Sequence, residues 1–489
     1  MRSKLFQIGV ILLIPAFTEA AVFQVPFGQN KTVSEAVSAA EASASPGPPP
    51  SGNANSKLVV TTAQGSSGKI QTVSAVYFQT NALDADNEVV ACRITKDGSI
   101  TEYKKFKTGG KGGQTANIQR NTVAPADDGG FGSAPTTDSL FSQHSLIVYE
   151  DYLFTVNAGS NTVSMFTIDP KDPLKLTQVG KPVTSHGDLP VSLAYSQKLR
   201  TLCVGNAGKK SGVACYNIDK RSGLGCQDKE PLQRTSNITK GDNGAGTISD
   251  LFFTTDDKNL IVVTKGNKAQ NQTSTVDVYA TTNGKGKTSK VSYTSVCSQI
   301  QNSPALYGTI QVSDTEFFGT DGTYGLAKLQ FDPNSRKVTL PDSGTEQIDF
   351  QSQTSWIAKS DKTDSVYVSD LMLNRIVEFS AQDGNQTTQQ SFLSGQAGNV
   401  DLIVGGDFLY TLSPSNKQLA SNTSMIQIMY LKQQGVLVDI GSYVFDQADN
   451  ITSQAHGMAV YDKRHSRNQN HDSSDDNSSD DNNGGYKLF

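Results

Sequence analysis

The sequence predicts an all-β protein, a seven-bladed β-propeller of four-stranded blades closed by its C-terminal strand. Three observations predict this fold. Glycine is frequent, with 43 among 489 residues, and together with many Ser, Thr, Asn and Gln it favours numerous turns and few long helices. Seven hairpin-like segments recur along the chain. A strand is missing before the first of these segments, and one is left over after the last.

One such segment, "YLFTVNAGSNTVSMFTID", spans residues 152–169 and alternates apolar positions on both sides of a turn at Gly159. A single hairpin is marginally stable in water, so it must pack on further strands. Candidates flank it as "HSLIVYE" and "LTQVGKPVTS", which makes four strands per unit, as in a propeller blade. The spacing is roughly fifty to sixty residues, in or slightly above the range of propeller repeats. The other six segments are "SAVYFQTNALDADNEVVACRIT", "LRTLCVGNAGKKSGVACYNID", "NLIVVTKGNKAQNQTSTVDVYA", "EFFGTDGTYGLAKLQFD", "SVYVSDLMLNRIVEFSA" and "FLYTLSPSNKQLASNTSMIQIMYL".

The two ends of the repeat predict how the ring closes. The first unit begins near Ser74 with only linker-like sequence before it, whereas "AHGMAVYD" follows the last unit. If this surplus strand completes the first blade, no sheet edge is left open. The alternative fold, a pair of β-sandwiches, explains neither the missing strand nor the surplus one.

Composition divides the chain into five parts. Residues 1–20 have a basic start, a short apolar run and small residues before a cleavage position after Ala20, which predicts an export signal. Residues 21–69 form a linker rich in Pro, Ser and Ala, and residues 70–463 form the propeller. A glycine-rich insertion spans 107–139, and its "GGKGG" lacks the ending of a phosphate-binding loop. Residues 464–489 form a polar, acidic tail that is expected to be disordered.

If the chain is exported, its N-x-S/T sequons can be glycosylated and its cysteines can form stable disulfides. We expect a secreted, extracellular glycoprotein, with the cell wall as one candidate location. Cys203 and Cys215 flank one predicted turn and are the candidate disulfide pair among five cysteines. No cysteine spacing matches a zinc site. The seven N-x-S/T sites are Asn30, Asn237, Asn271, Asn385, Asn422, Asn450 and Asn477.

The charge balance limits the partners. A formal net charge of −5, from 42 basic and 47 acidic residues, argues against a nucleic-acid surface. No membrane span, metal or cofactor is expected. The expected partner is a small ligand or an extracellular protein or glycan.

The candidate site lies where the innermost strands begin, because these positions converge at one mouth of a propeller channel. We predict His144, His456 and Asp401 as catalytic candidates on blades two, one and seven, since a neighbouring carboxylate raises the pKa of a histidine. The same set makes only a partial metal site, and plain polar lining of a wet channel explains it equally well. Turn formation is an alternative role for Asp188, and core packing is one for Trp356. The predicted ligand-binding residues are Ser192, Ser249, Thr309, Ser355, Trp356, His186 and Asp188.

Three segments resemble a known family. "DSLFSQHSLIVYEDYLFTVNAGSNTVSMFTIDPKDP", "VGKPVTSHGDLPVSLAYS" and "CVGNAGKKSGVACYNIDKRSGL" are similar to the fungal secreted branch of the lactonase-like propellers, often labelled carboxymuconate cyclase-like. The resemblance is specific from about Val76 to Leu224 and weaker to about Asp462. It implies seven blades and lactone chemistry without a redox cofactor, with His144 as the channel histidine. Val191 and Ser192 stand where the family's enzymes carry arginine and histidine, and this departure argues against the cycloisomerase reaction.

Two functions follow from the sequence. The first is a secreted glycoprotein propeller that binds a ligand or partner at the channel mouth, with an eroded lactonase-type site. The second is a lactone hydrolase or carboxymuconate cycloisomerase-like enzyme that uses the channel histidine. Turnover of lactone substrates would separate the two.

Overall fold

Seven antiparallel sheets form the described part of the protein. A computed structural model describes residues 74–115, 138–227, 244–283, 289–371, 373–391, 398–415, 423–449 and 451–462. The predicted export signal, linker and acidic tail lie outside these ranges. So do five of the sequons, namely Asn30, Asn237, Asn422, Asn450 and Asn477.

The first four blades are built from strands that are consecutive in the sequence, except that blade 1 also contains β30, the last strand of the propeller. Blade 1 holds β1 (Ser74–Gln79), β2 (Asp86–Ile94), β3 (Ile100–Lys111) and β30 (His456–Asp462). Blade 2 holds β4 (Leu146–Tyr149), β5 (Tyr152–Asn157), β6 (Thr162–Asp169), β7 (Asp172–Gln178) and the short β8 (Val183–Thr184). Blade 3 holds β9 (Pro190–Ser196), β10 (Thr201–Asn206), β11 (Gly212–Asp219) and β12 (Gly223–Cys226). Blade 4 holds β13 (Ile248–Phe253), β14 (Asn259–Thr264), β15 (Ser274–Thr282) and β16 (Lys290–Ile300).

The remaining three blades repeat this order. Blade 5 holds β17 (Leu306–Ser313), β18 (Glu316–Asp321), β19 (Gly325–Asp332), β20 (Lys337–Thr339) and β21 (Thr345–Gln347). Blade 6 holds β22 (Thr354–Ser360), β23 (Ser365–Asp370), β24 (Arg375–Ser380) and β25 (Gln386–Ser391). Blade 7 holds β26 (Leu402–Gly405), β27 (Phe408–Ser413), β28 (Met425–Gln433) and β29 (Val436–Val444). The inner strands β30, β4, β9, β13, β17, β22 and β26 contact one another in sequence around a closed ring.

The C-terminal strand closes the ring as predicted. β30 pairs with β1 in antiparallel register from Ser74↔Asp462 to Phe78↔Met458. The first blade is therefore built from both ends of the propeller, and the predicted seven-bladed fold is confirmed. The alternative of two β-sandwiches is wrong.

The hairpin at residues 152–169 is stabilised by the neighbouring blades as well as by its own. β5 and β6 pair from Tyr152↔Thr167 to Asn157↔Thr162, and all six residues of β5 are buried. On one face, Phe154 and Val156 pack with Val191 and other residues of blade 3. On the opposite face, Leu153 packs with Tyr77 and other residues of blade 1. Burial on both faces follows from the position of each blade between two others.

The predicted glycine-rich insertion begins later than expected. Residues 107–111 continue β3 rather than starting a loop. Gly112 and Gly113 then pack backbone to backbone, and a Cβ on Gly112 would lie 2.0 Å from the carbonyl carbon of Asn81. These glycines allow close packing of loops, and residues 116–137 of the insertion lie outside the described residues.

The predicted cysteine pair forms a disulfide. Cys203 on β10 lies directly opposite Cys215 on β11, and the two are bonded. Cys92 is buried in β2, where burial raises its pKa, and Cys226 and Cys297 are exposed. The bond ties the middle strands of blade 3.

Candidate functional site

Bulges near the start of five inner strands aim side chains at the centre of the ring. The pairing register shifts near the first residues of β30, β9, β13, β17 and β22. An extra residue in one strand bends it and redirects its side chains. In β30 the bulge contains Gly457, whose φ is 71°, and a Cβ there would lie 2.4 Å from Ser145 Oγ. This close approach requires glycine.

Residues 138–145, here called the crossing segment, run across the end of the ring where the inner strands begin. Ser142 Oγ donates to the Val191 carbonyl at 2.8 Å, and the Gln143 amide N–H donates to the Ser249 carbonyl at 2.8 Å. The Gln143 side chain donates to the Ile357 carbonyl at 3.0 Å. The segment is therefore bonded to blades 3, 4 and 6. All of its residues are buried except His144.

His144 is held by a buried carboxylate. Its Nδ1 lies 2.7 Å from Asp250 Oδ1, and the other oxygen, Asp250 Oδ2, accepts the Thr309 amide N–H and hydroxyl, both at 2.9 Å. A carboxylate accepts, so Nδ1 carries a proton, and in the neutral imidazole Nε2 keeps its lone pair. The Gln143 side-chain nitrogen lies 3.3 Å from that Nε2. Thr309 fixes Asp250, and Asp250 orients the imidazole.

The surroundings of His144 favour its protonated form. Burial lowers the pKa of His144, but the carboxylates of Asp250 and Asp401 outweigh burial and raise it above its ordinary value. Its side chain is 32% exposed, whereas that of Asp250 is fully buried. His144 can therefore meet a ligand and exchange a proton with it.

A second histidine forms a separate buried pair. His456 Nε2 lies 3.1 Å from Asp138 Oδ1, and its Nδ1 lies 2.9 Å from Ser145 Oγ. Asp138 also accepts the Tyr307 hydroxyl through its other oxygen. His456 and Asp138 are both 0% exposed, so this pair braces the crossing segment and does not face the channel.

Two further buried ionisable groups lie at this end of the ring. Burial raises the pKa of Asp401 to about 6, against the opposing effects of His456, the Met458 amide and His144. Burial lowers the pKa of Lys265 to about 7, although Asp138 and Asp250 oppose that shift. The Lys265 ammonium donates to the carbonyl of Phe141 in the crossing segment, and it lies 5.2 Å from the centre of the Tyr307 ring. Each group is almost completely removed from water.

His144 lies at the inner end of a cavity of about 540 Å³. The cavity extends from His144 toward the C-terminal ends of the inner strands. It is lined by residues of β4, β9, β13, β22, β26 and β30. Its far rim includes Tyr149, Phe253 and two ion pairs, Lys359 with Asp361 and Lys362 with Asp407. A volume of this size is typical of small-molecule sites.

The predicted catalytic residues converge, but they do not form one hydrogen-bonded cluster. His144 pairs with Asp250, and His456 pairs with Asp138. The oxygens of Asp401 accept the amide N–H groups of Leu402 and Met458, both at 2.8 Å. Asp401 influences both histidines electrostatically, and it positions the backbone beside His456.

The predicted open mouth at the start of the inner strands requires correction. The crossing segment covers it, and the side chains expected to bind ligand there are buried against the protein itself. Trp356 donates from Nε1 to the Ser142 carbonyl at 3.2 Å, which is a packing role. The covered residues, with 0% to 2% exposure, are Ser192, Ser249, Thr309, Ser355 and Trp356.

His186 and Asp188 belong to a separate loop. His186 stacks on Tyr216 at 6.0 Å, and Asp188 Oδ2 accepts the Lys210 amide N–H at 2.8 Å. Asp188 Oδ1 is 3.4 Å from Asn161 Nδ2. These contacts fit the turn-forming role that the sequence left open for Asp188.

Sequence reasoning missed Asp250, Asp138 and Lys265. Asp250 directly follows Ser249, which the sequence predicted at this position. The bulge in β13 places Asp250 rather than Ser249 beside His144. Asp138 was assigned to the glycine-rich insertion, and Lys265 follows β14 without any chemical motif. In the described ranges, no group of three His, Cys, Asp or Glu residues could hold a metal ion. Nor does the described part contain a helix long and apolar enough to cross a membrane.

The seven antiparallel sheets around a central channel define the class of fold, a seven-bladed β-propeller. Among solved structures, a Lactobacillus plantarum protein matches 80% of this chain and 99% of its own, at 13% identity and a TM-score of 0.55. A Bacteroides fragilis protein provisionally described as a 6-phosphogluconolactonase matches 81% of this chain and 100% of its own, at 13% identity and a TM-score of 0.54. The periplasmic gluconolactonase of Pseudomonas aeruginosa matches 76% and 99%, at 14% identity and a TM-score of 0.50. No family model and no curated protein matches the chain. Likeness at such low identity establishes the fold alone.

Proposed function

We propose that this protein is an exported glycoprotein propeller that binds a small molecule of the lactone class in its central channel, against His144. The observation that carries the proposal is the partly exposed imidazole of His144, fixed by Asp250 at the inner end of a cavity of about 540 Å³. The lactonase names of the Bacteroides and Pseudomonas neighbours support the ligand class.

Export and glycosylation are supported by independent features. The predicted leader at residues 1–20, the resemblance to a fungal secreted branch and the disulfide of blade 3 all fit an oxidising compartment. Asn271 and Asn385, the two sequon asparagines within the described ranges, are both exposed. An extracellular or cell-wall location follows from this proposal.

Hydrolysis of the bound lactone is the second candidate function, favoured by the His144–Asp250 pair. In this reaction Nε2 of His144 takes a proton from water as the water oxygen bonds to the lactone carbonyl carbon. The ring C–O bond then breaks, and the leaving oxygen takes the proton back from Nε2 to give a hydroxy acid. Val191 and Ser192 stand where the enzymes of the resembled family carry arginine and histidine, and neither carries a charge, which argues against the cycloisomerase reaction.

Replacing His144 tests both functions in one experiment. Binding of glucono-δ-lactone, measured by calorimetry, is expected to weaken at least tenfold in His144→Ala, because the one channel-facing imidazole is removed. If hydrolysis occurs, its rate falls at least a hundredfold in His144→Gln, a typical loss for a missing general base. His186→Ala is the matched control and is expected to behave like the wild type.

Two results would count against these assignments, and a third would decide between the two functions. Unchanged binding in His144→Ala removes the proposed site. Turnover that is unchanged in His144→Gln removes the role of His144 as general base and leaves both hydrolysis and binding in place. Binding without detectable turnover supports the first function alone.

Glycosylation gives a separate expected result. Protein secreted from a eukaryotic host is expected to lose mass on treatment with an N-glycosidase, and the loss should decrease in Asn271→Gln and Asn385→Gln because each removes one acceptor. Intact-mass spectrometry measures the change. Asn334→Gln is the matched control, because Asn334 lies at an exposed turn outside any sequon and its loss should leave the change in mass unaltered. If the mass loss on N-glycosidase treatment is the same in both sequon variants as in the wild type, glycosylation at these two sites is contradicted.

A further inference from the structure

We propose that the ligand reaches His144 from the face of the ring at which the inner strands end, and that it is uncharged and about one ring wide. This inference rests on the function proposed above. It adds the access route and narrows the ligand class for the same site.

The end of the channel at which the inner strands begin is closed. The crossing segment is bonded there to blades 3, 4 and 6, and His144 is its one residue that is not buried. Lys265 and Tyr307 add bonds from blades 4 and 5 to Phe141 and Asp138. A ligand coming from this side would have to break a buried hydrogen-bond network spread over several blades.

Among the residues that the structure describes, none covers the opposite end, which is open to solvent. Tyr149 and Phe253 line the cavity there and are half-buried. The side chains of Asp361 and Asp407 on the same rim are 91% and 56% exposed. The cavity is continuous from this rim to His144. A small molecule therefore has a direct path to the imidazole from this face.

The size of the cavity favours a ligand of one ring. β4 lines it over four residues, Leu146–Tyr149, or roughly 13 Å at about 3.3 Å per residue. Its volume of about 540 Å³ lies in the lower half of the range of roughly 300–1,000 Å³ that is typical of small-molecule sites. The cavity therefore has room for a single six-membered ring beside His144.

The charges favour an uncharged ligand. Each of the three cationic or potentially cationic side chains lining the described channel already has a carboxylate partner: His144 has Asp250, Lys359 has Asp361 and Lys362 has Asp407. A phosphate or carboxylate group bound at any of these cations would lie close to the negative charge of its partner. The inner strands are sheet edges, so unpaired backbone N–H and C=O groups face the channel and suit hydroxyl and carbonyl groups.

Blocking the channel tests the route. Ile403→Trp places an indole on the wall between the rim and His144, and it is expected to weaken binding of glucono-δ-lactone at least tenfold in calorimetry. Thr184→Trp is the matched control, because Thr184 is exposed and pairs with Thr162 beside the turn at the closed end. Its binding should equal that of the wild type. Lys359→Trp, nearer the rim, provides a second block if Ile403→Trp does not fold.

The ligand class is tested with 6-phosphoglucono-δ-lactone, which should bind at least tenfold more weakly than the neutral lactone. Equal or tighter binding of the phosphorylated lactone overturns the uncharged class. Full binding in both blocked variants, with loss in His144→Ala, overturns the route and leaves the site at His144 in place. If neither lactone binds the wild-type protein, the proposed function itself fails, and this inference fails with it.

Discussion

A chain that ends at Ala455 is expected to lose its cooperative thermal transition. It lacks β30, the inner strand of blade 1, and with it the buried side chains of Met458 and Tyr461. Burial of a large apolar side chain contributes about 1.5–3 kcal/mol, so these two alone amount to a large part of the 5–15 kcal/mol by which a domain is stable. The hydrogen bonds between β30 and β1 are lost as well, and β1 becomes an open edge.

The matched control is a chain that ends at Asp462. It removes residues 463–489 but no residue of the seven sheets, and its melting temperature is expected to equal that of the full chain. Circular dichroism during heating measures both. If the chain ending at Ala455 melts cooperatively within a few degrees of the control, strand closure does not hold the ring together.

Replacement of Lys265 by methionine is expected to stabilise the protein near neutral pH. Burial lowers the pKa of Lys265 from 10.5 to about 7, so the unfolded chain binds this proton more tightly than the folded one. At pH 7 that difference corresponds to about 4 kcal/mol in favour of unfolding. The substitution leaves the Phe141 carbonyl without its buried donor, at a cost of about 1–3 kcal/mol. The net expected gain is about 1–3 kcal/mol.

The pH dependence separates this effect from simple repacking. The folded-state pKa is depressed, so the contribution of Lys265 to stability rises as pH increases from about 7 to 10.5 and is constant above that range. The difference in unfolding free energy between Lys265→Met and the wild type should therefore shrink over the same range. Urea denaturation at several pH values measures it. A difference that does not change with pH would show that the folded protein does not hold Lys265 at a depressed pKa.

The ring was predictable because its signals are local and repeated. Alternating apolar residues and turn residues recur in each hairpin, and "AHGMAVYD" had no other blade to join. The closure of one end of the channel was not predictable. It depends on the crossing segment, which follows the glycine-rich insertion in sequence and places Gln143 and His144 among strands from three other blades.

The candidate site was predictable in position but not in its partners. His144, His456 and Asp401 do lie at the same end of the ring, because inner strands begin there. Their actual bonds depend on bulges that move a side chain by one position, as at Asp250 in β13. No periodic pattern in one sequence reveals a bulge before the paired strand is known.

The pairing of β1 with β30 also has a consequence during protein synthesis. Gln79 is synthesised 377 residues before its partner His456 (456 − 79). At roughly 5–20 residues per second, the hydrogen-bonding groups along β1 wait tens of seconds for that partner. A nascent chain in this condition has an unsatisfied strand edge, and binding by a chaperone would protect it from pairing with another copy.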